Sequence, residues 1–184
     1  VLATKLTAGS PHVPAGVLRP EICAALARVV ELGEASLVVD PFAGSGAIGV
    51  ACLEAGAGRV WLNDPSETAM GGLSALARSL RARVEVTAVE VRDLVVSPAS
   101  VSAIVTDPPW GHYDDHTPSI TSLYEDLAYF AVRALVTGGA LVVLTGAGPE
   151  AVHALRSRKE LVSGDPIPVL VNGRKAQIVV ATRA

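Results

Sequence analysis

Four acids along this chain stand where an apolar run gives out, and together they could do chemistry. Asp40 ends SLVVD, Asp64 ends RVWLND, Asp107 ends VSAIVTD, and Asp93 follows closely on RVEVTAVE. Asp107 also opens DPPW, in which Pro108 and Pro109 stiffen the backbone and supply no N–H donor. What enters beside such a segment meets acceptors only, the carboxylate and nearby carbonyls, next to the broad ring of Trp110. An acceptor-only site against an aromatic plate suits the exocyclic amine of a nucleobase. Hydrogen bonds that draw the amine hydrogens out of the ring plane release its delocalised lone pair for attack on an electrophile.

The stretch VVDPFAGSGAIGV contains GSGAIG (44–49), a literal G-x-G-x-x-G. By itself that pattern also serves simply to turn a strand tightly into a helix. The Asp40 carboxylate ahead of it would repel a pyrophosphate and suits a ligand with a cationic amino group. S-adenosylmethionine fits this description, with an α-amino group, a sulfonium, a ribose and an adenine but no phosphate. Asp64 follows the glycines by about 20 residues, where an acid that accepts ribose hydroxyls is expected. Asp93 is placed to accept from the adenine amine. The alternative for each acid is a helix cap or a solvated loop residue.

Positioning these groups requires strands that end at one edge. Pro20 opens a helix, PEICAALARVVELG, in the permitted first turn, with Gly33 as its stop. Strands are expected at 36–40, 59–64, 83–90, 101–107 and 139–146. Helices are expected through GAIGVACLEAG, from a Ser66 cap to Leu80, from Ser119 to Val136, and through PEAVHALRSR. Gly71 and Gly72 weaken the second of these by about 1 kcal/mol each relative to Ala. PIPVLVNGRKAQIVVATR reads as a hairpin turning at Asn172-Gly173. Apolar strands alternating with helices give a mostly parallel α/β sheet, doubly wound, with ligands at the carboxyl ends of its strands.

The chain has 184 residues, half of them hydrophobic and 18% charged, which predicts one globular domain (19–184) behind an irregular N-terminal arm (1–18). It contains no apolar run of membrane-span length. The start lacks a signal-peptide core and an initiator Met, consistent with a piece of a longer protein. Cys23 and Cys52 lie in apolar helical surroundings and read as buried reduced thiols, which fits a cytoplasmic protein. The net charge of −3 is unusual for a protein that grips many phosphates alone. The basic groups at 78–83, 156–159 and 174–175 are small, and each also reads as an ordinary solvated turn or helix end. GHYDDHTP (111–118) reads as a substrate loop; its His and Asp residues could conceive a metal site, but no metal is expected.

DPFAGSG followed by DPPW resembles the S-adenosylmethionine-dependent methyltransferases that modify exocyclic amines of nucleic-acid bases through a [DN]-P-P-[YFW] motif. HVPAGVLRPEICAAL, which includes Leu18, resembles the family segment that packs on the cofactor's methionine end. The closing strands are similar to those of RNA guanine-N2 methyltransferases attached to a THUMP domain. The resemblance implies a class I methyltransferase sheet of seven strands ending in an antiparallel hairpin. It implies cofactor contacts at Leu18, Asp40, Pro41, Phe42, Ala43, Gly44, Ser45, Gly46, Asp64 and Asp93. It places Asp107, Pro108, Pro109 and Trp110 at the target amine. Guanine presents N1–H beside its N2 amine, donor next to donor, which matches an ionised Asp; adenine-N6 and small-molecule amines are the alternatives, and a non-catalytic binding module is a further one. RNA, with tRNA favoured, is the expected polymer, gripped through an RNA-binding domain or partner beyond this chain or, alternatively, by the catalytic domain alone. The oligomeric state is not legible.

Overall fold

A computed structural model describes residues 18–110 and 119–184. The calls on the N-terminal arm and on the 111–118 loop fall, apart from Leu18, outside these residues. The elements run α1 (Pro20–Ala27), β1 (Leu37–Asp40), α2 (Ala47–Glu54), β2 (Arg59–Asn63), α3 (Glu67–Leu80) and β3 (Val84–Thr87). They continue with β4 (Val101–Thr106), α4 (Ile120–Ala134), β5 (Leu135–Thr145), α5 (Gly148–Arg156), β6 (Leu161–Ser163), β7 (Ile167–Val171) and β8 (Arg174–Arg183).

The strands form one sheet of eight in the order β3-β2-β1-β4-β5-β8-β6, with β7 also on β8. The first five are parallel, and β8 enters antiparallel beside β5. Side chains alternate across a strand, so each strand feeds two cores. Val39, Ile104, Leu141 and Val143 pack with α4 and α5 on one face. Val38, Ala103, Val105, Val142 and Leu144 pack with α1, α2 and α3 on the other.

Four local departures from the sequence expectation have physical causes. Helix α1 stops at Ala27 instead of running to Gly33, ahead of the β-branched pair Val29-Val30, whose χ1 stiffness disfavours helix. Helix α4 ends at Ala134, and β5 begins directly with Leu135 opposite Val101. The register then slips through Gly138 and Gly139, where a Cβ on Gly139 would stand 2.9 Å from the Val136 carbonyl oxygen. Ser66 occupies the N-cap position of α3 without capping it; its hydroxyl pairs with Thr68 Oγ1 at 2.7 Å. Strand β6 was not expected. It and β7 lie along the same flank of β8, since both pair with residues whose opposite side holds β5. The outermost strand of a seven-strand plan is thus broken in two at Gly164-Asp165-Pro166.

The hairpin turn falls at Asn172-Gly173, both with positive φ (49° and 80°), as a tight turn between right-twisted strands requires. Among the described residues, no helix is long and apolar enough to cross a membrane.

Candidate active site

A cleft of about 860 Å³ opens along the carboxyl ends of the parallel strands. Of the expected cofactor residues, Leu18, Phe42, Ala43, Gly44, Ser45 and Asp64 line it. Asp107, Pro108, Pro109 and Trp110 all line it as well. The two groups expected to meet the cofactor and the target amine therefore face one continuous space.

The remaining expected residues stand elsewhere. Asp40 lies behind the cleft wall, 1% exposed. Its Oδ1 accepts from the Phe42 N–H at 3.2 Å and the Thr106 hydroxyl at 2.6 Å, while Oδ2 has no partner. Burial pushes its carboxyl up to about 7, against the two hydrogen bonds and with help from the nearby charges of Asp107 and Asp64. Pro41 is buried, and its carbonyl accepts from the Asn63 amide at 3.0 Å. Gly46 is a packing residue: at φ 80°, a Cβ there would stand 2.8 Å from Leu76 Cδ2 and 3.1 Å from Leu73 Cδ2. Gly49 similarly lets α2 close on Leu62. Only the first glycine of GSGAIG reaches the cleft.

Asp93 is placed apart from the others. It is exposed and outside the lining, whereas Glu90, Val91 and Arg92 are inside it. Strand β3 ends at Thr87, so Glu90 comes first at the strand's carboxyl edge, and a single 3-10 turn over Val91–Asp93 carries Asp93 past it. The signal was present in the sequence, because RVEVTAVE itself ends in an acid.

Asp64 is held by the backbone at both oxygens, accepting from the Gly44 N–H at 2.7 Å and the Ser66 N–H at 2.9 Å. It thereby ties the glycine loop to the start of α3. Asn63, 0% exposed, was missed entirely. Its amide donates to the carbonyls of Pro41 and Val89 at 3.0 and 2.9 Å. Its oxygen accepts from the Thr87 hydroxyl and the Val89 N–H at 2.9 and 3.1 Å. One side chain thus fixes the loops after β1 and β3, both of which line the cleft.

At the far end, Asp107 Oδ1 accepts from the Trp110 indole N–H at 2.8 Å. Burial raises its carboxyl to about 6, opposed by that hydrogen bond. The Trp110 ring rests against Gly146, where a Cβ would come within 2.7 Å of Cε3. Beneath it, the buried Tyr124 hydroxyl bonds Thr145 Oγ1, which also accepts from the Ala147 N–H at 2.8 Å. Arg92 and Asp126, an ion pair at 3.7 Å, stand at the cleft between the turn after β3 and α4. Among the described residues, no group of three or more His, Cys, Asp or Glu is placed to hold a metal ion.

The sheet order and the strand-end cleft define a class I methyltransferase-type domain. Residues 68–164, more than half of the chain, match the RMKL-like methyltransferase domain family. The chain belongs to that family and is an enzyme domain whose cofactor is S-adenosylmethionine. TrmN from Thermus thermophilus superposes with a TM-score of 0.78 at 24% identity, over 92% of this chain and 50% of its own. The chain therefore spans about half the length of TrmN. Geranyl diphosphate C-methyltransferase from Streptomyces coelicolor A3(2), solved with S-adenosyl-L-homocysteine, gives 0.69 at 17% identity, over 88% and 80% of the two chains. An rRNA methylase from Streptococcus thermophilus gives 0.64 at 20% identity, over 92% and 99%. These likenesses establish the fold. A search of curated proteins returns no match.

Proposed function

We propose that this domain transfers a methyl group to an exocyclic amine of a nucleobase in RNA, N2 of guanine, with tRNA the favoured substrate. The observation that carries the reading is the Asp107 carboxylate, held on one oxygen by Trp110 and lining the cleft beside Pro108, which has no N–H to offer. The likeness to an rRNA methylase supports RNA as the polymer, and the resemblance of the closing strands to THUMP-associated enzymes supports tRNA. A chain spanning about half of TrmN fits the view that an RNA-binding domain or partner completes the enzyme.

The cofactor fits the residues present. The unpartnered buried oxygen of Asp40 calls for a cationic partner, and the α-amino group of the methionine end supplies one. Asp64 keeps free lone pairs for the ribose hydroxyls after its two backbone bonds. Glu90 takes the adenine side expected of Asp93. S-adenosylmethionine, when bound, supplies an electrophilic methyl group.

At the target, Asp107 and the Pro108 carbonyl accept the amine hydrogens and hold its lone pair toward the methyl, a gain in proximity and alignment. Above pH about 6 Asp107 is ionised and accepts only, matching the N1–H and N2–H edge of guanine. The same carboxylate is placed to receive the proton that the amine sheds. Trp110 supports the base, which must leave its stack to enter.

The test offers labelled S-adenosylmethionine with unmodified tRNA, rRNA and duplex DNA, followed by mass spectrometry of the nucleosides. N2-methylguanosine in one RNA is the expected product, and N6-methyladenosine would reject the base assignment. Asp107→Ala is expected to abolish transfer while cofactor affinity stays within about twofold, because the residue lies past the cofactor loop. Equal loss of both would assign Asp107 to folding instead.

A further inference from the structure

We infer that Trp110 is a positioning residue for Asp107, its indole N–H orienting the carboxylate, in addition to any contact with the base. This rests on the reading of Asp107 as the group that receives the target amine.

Three observations meet here. The indole Nε1–H donates to Asp107 Oδ1 at 2.8 Å across Pro108 and Pro109. Those prolines remove the backbone donors that would otherwise compete for the carboxylate and fix the turn that brings the ring back to it. The ring is held from its other side by Gly146, where a Cβ would stand 2.7 Å from Cε3 and 2.9 Å from Cδ2. Neither partner can drift without losing the other.

Among the described residues, Asp40 at the end of β1, Cys23 on α1 and Tyr124 on α4 feel the charge of Asp107, and none of the three is cationic. Arg92 and Arg174 line the same cleft; Arg92 is engaged with Asp126, and Arg174 has an interaction of its own. Burial pushes the Asp107 carboxyl up, and the Trp110 hydrogen bond is what opposes it. Asp40 is treated the same way by the neighbouring residue of β4, since the Thr106 hydroxyl holds its Oδ1 at 2.6 Å. In both acids one oxygen is tied by a side-chain donor.

An aromatic ring without an N–H at that position could support a base but could not do this. Phe keeps the platform and deletes the donor, and Tyr carries its hydroxyl at the far tip of the ring. The choice of Trp after the two prolines is therefore functional on its own account.

The experiment follows the carboxyl 13C shift of Asp107 with pH in the ligand-free protein and the pH dependence of kcat with RNA. Trp110→Phe is expected to raise the midpoint by roughly one to two pH units, the range for loss of a hydrogen bond to a charged group. The acid limb of kcat should rise with it, so that activity falls about tenfold near pH 6 and largely recovers above pH 9. Replacing Trp110 by 3-benzothienylalanine, which keeps the bicyclic shape and lacks the N–H, is expected to give the same shift if Phe does not fold. A midpoint unmoved in the folded variant, with activity lost equally at every pH, overturns the inference and leaves Trp110 as a platform. Asp107→Asn separates the two levels. Full activity in that variant rejects the reading of Asp107, whereas an inactive Asp107→Asn beside an unmoved Trp110→Phe midpoint rejects the positioning role alone.

Discussion

Asn63→Ala tests whether one buried amide holds the cofactor end of the cleft together. The side chain is 0% exposed, and its two donors and its oxygen are fully used by Pro41, Val89 and Thr87. Truncation leaves the Pro41 carbonyl and both backbone groups of Val89 without this partner. The Thr87 hydroxyl is spared the full loss because it still accepts from Trp61 Nε1–H at 2.9 Å. A buried polar group left unmade costs about 1–3 kcal/mol. Water entering the small void recovers part of it, so the total is expected at about 3–5 kcal/mol. A domain of ordinary stability, about 5–15 kcal/mol, survives that loss only narrowly. Urea unfolding should show the fall in midpoint, and calorimetry with S-adenosylmethionine on the folded fraction should show at least about tenfold weaker binding, because both released loops line the cleft. A variant that loses less than about 1 kcal/mol and binds cofactor within twofold of the parent would refute the reasoning.

Two further outcomes follow from the same groups. The folded carboxyl of Asp40 titrates near 7, above its ordinary value of 3.8, so between those values the native state holds more protons than the unfolded chain. The stability that Asp40 contributes to the ligand-free protein should be fully present below about pH 4 and lost as pH rises toward 7, alongside a contribution of the same sign from Asp107, so Asp40→Asn should lessen the slope without abolishing it; thermal melts across that range check it, and an unchanged slope would reject the assignment. Gly46→Ala should cost about 1–3 kcal/mol, since it combines a φ of 80° with a Cβ pressed on Leu76, and denaturant melts should register the loss.

The architecture was readable because each buried strand is an apolar run closed by a polar residue, and because helices of ordinary length separate them. Leu161–Ser163 escaped because three residues carry no periodicity, and only the flank of β8 makes them a strand. Asp64 and Asp107 stand at strand ends in the sequence, and both line the cleft. Asp93 falls outside the lining because counting along the sequence cannot show where a 3-10 turn carries its residues. Asn63 was invisible for a deeper reason: its importance lies in four hydrogen bonds to residues from 22 to 26 positions away, and no local pattern encodes them. The indole N–H of Trp110 was equally silent, since the motif specifies an aromatic ring and not which edge of it faces the acid.

The break in the outermost strand has a consequence for how this molecule lives among copies of itself. A long flat border with free amides and apolar side chains would recruit further strands, and Val162, Ile167 and Leu170 are 65%, 50% and 68% exposed along this one. Gly164-Asp165-Pro166 interrupts the ladder, and Pro168 deletes an amide within β7 itself. At the opposite border, β3 is only four residues long. Among the described residues, neither margin offers an incoming chain an unbroken row of partners, an arrangement that disfavours edge-to-edge growth of the sheet.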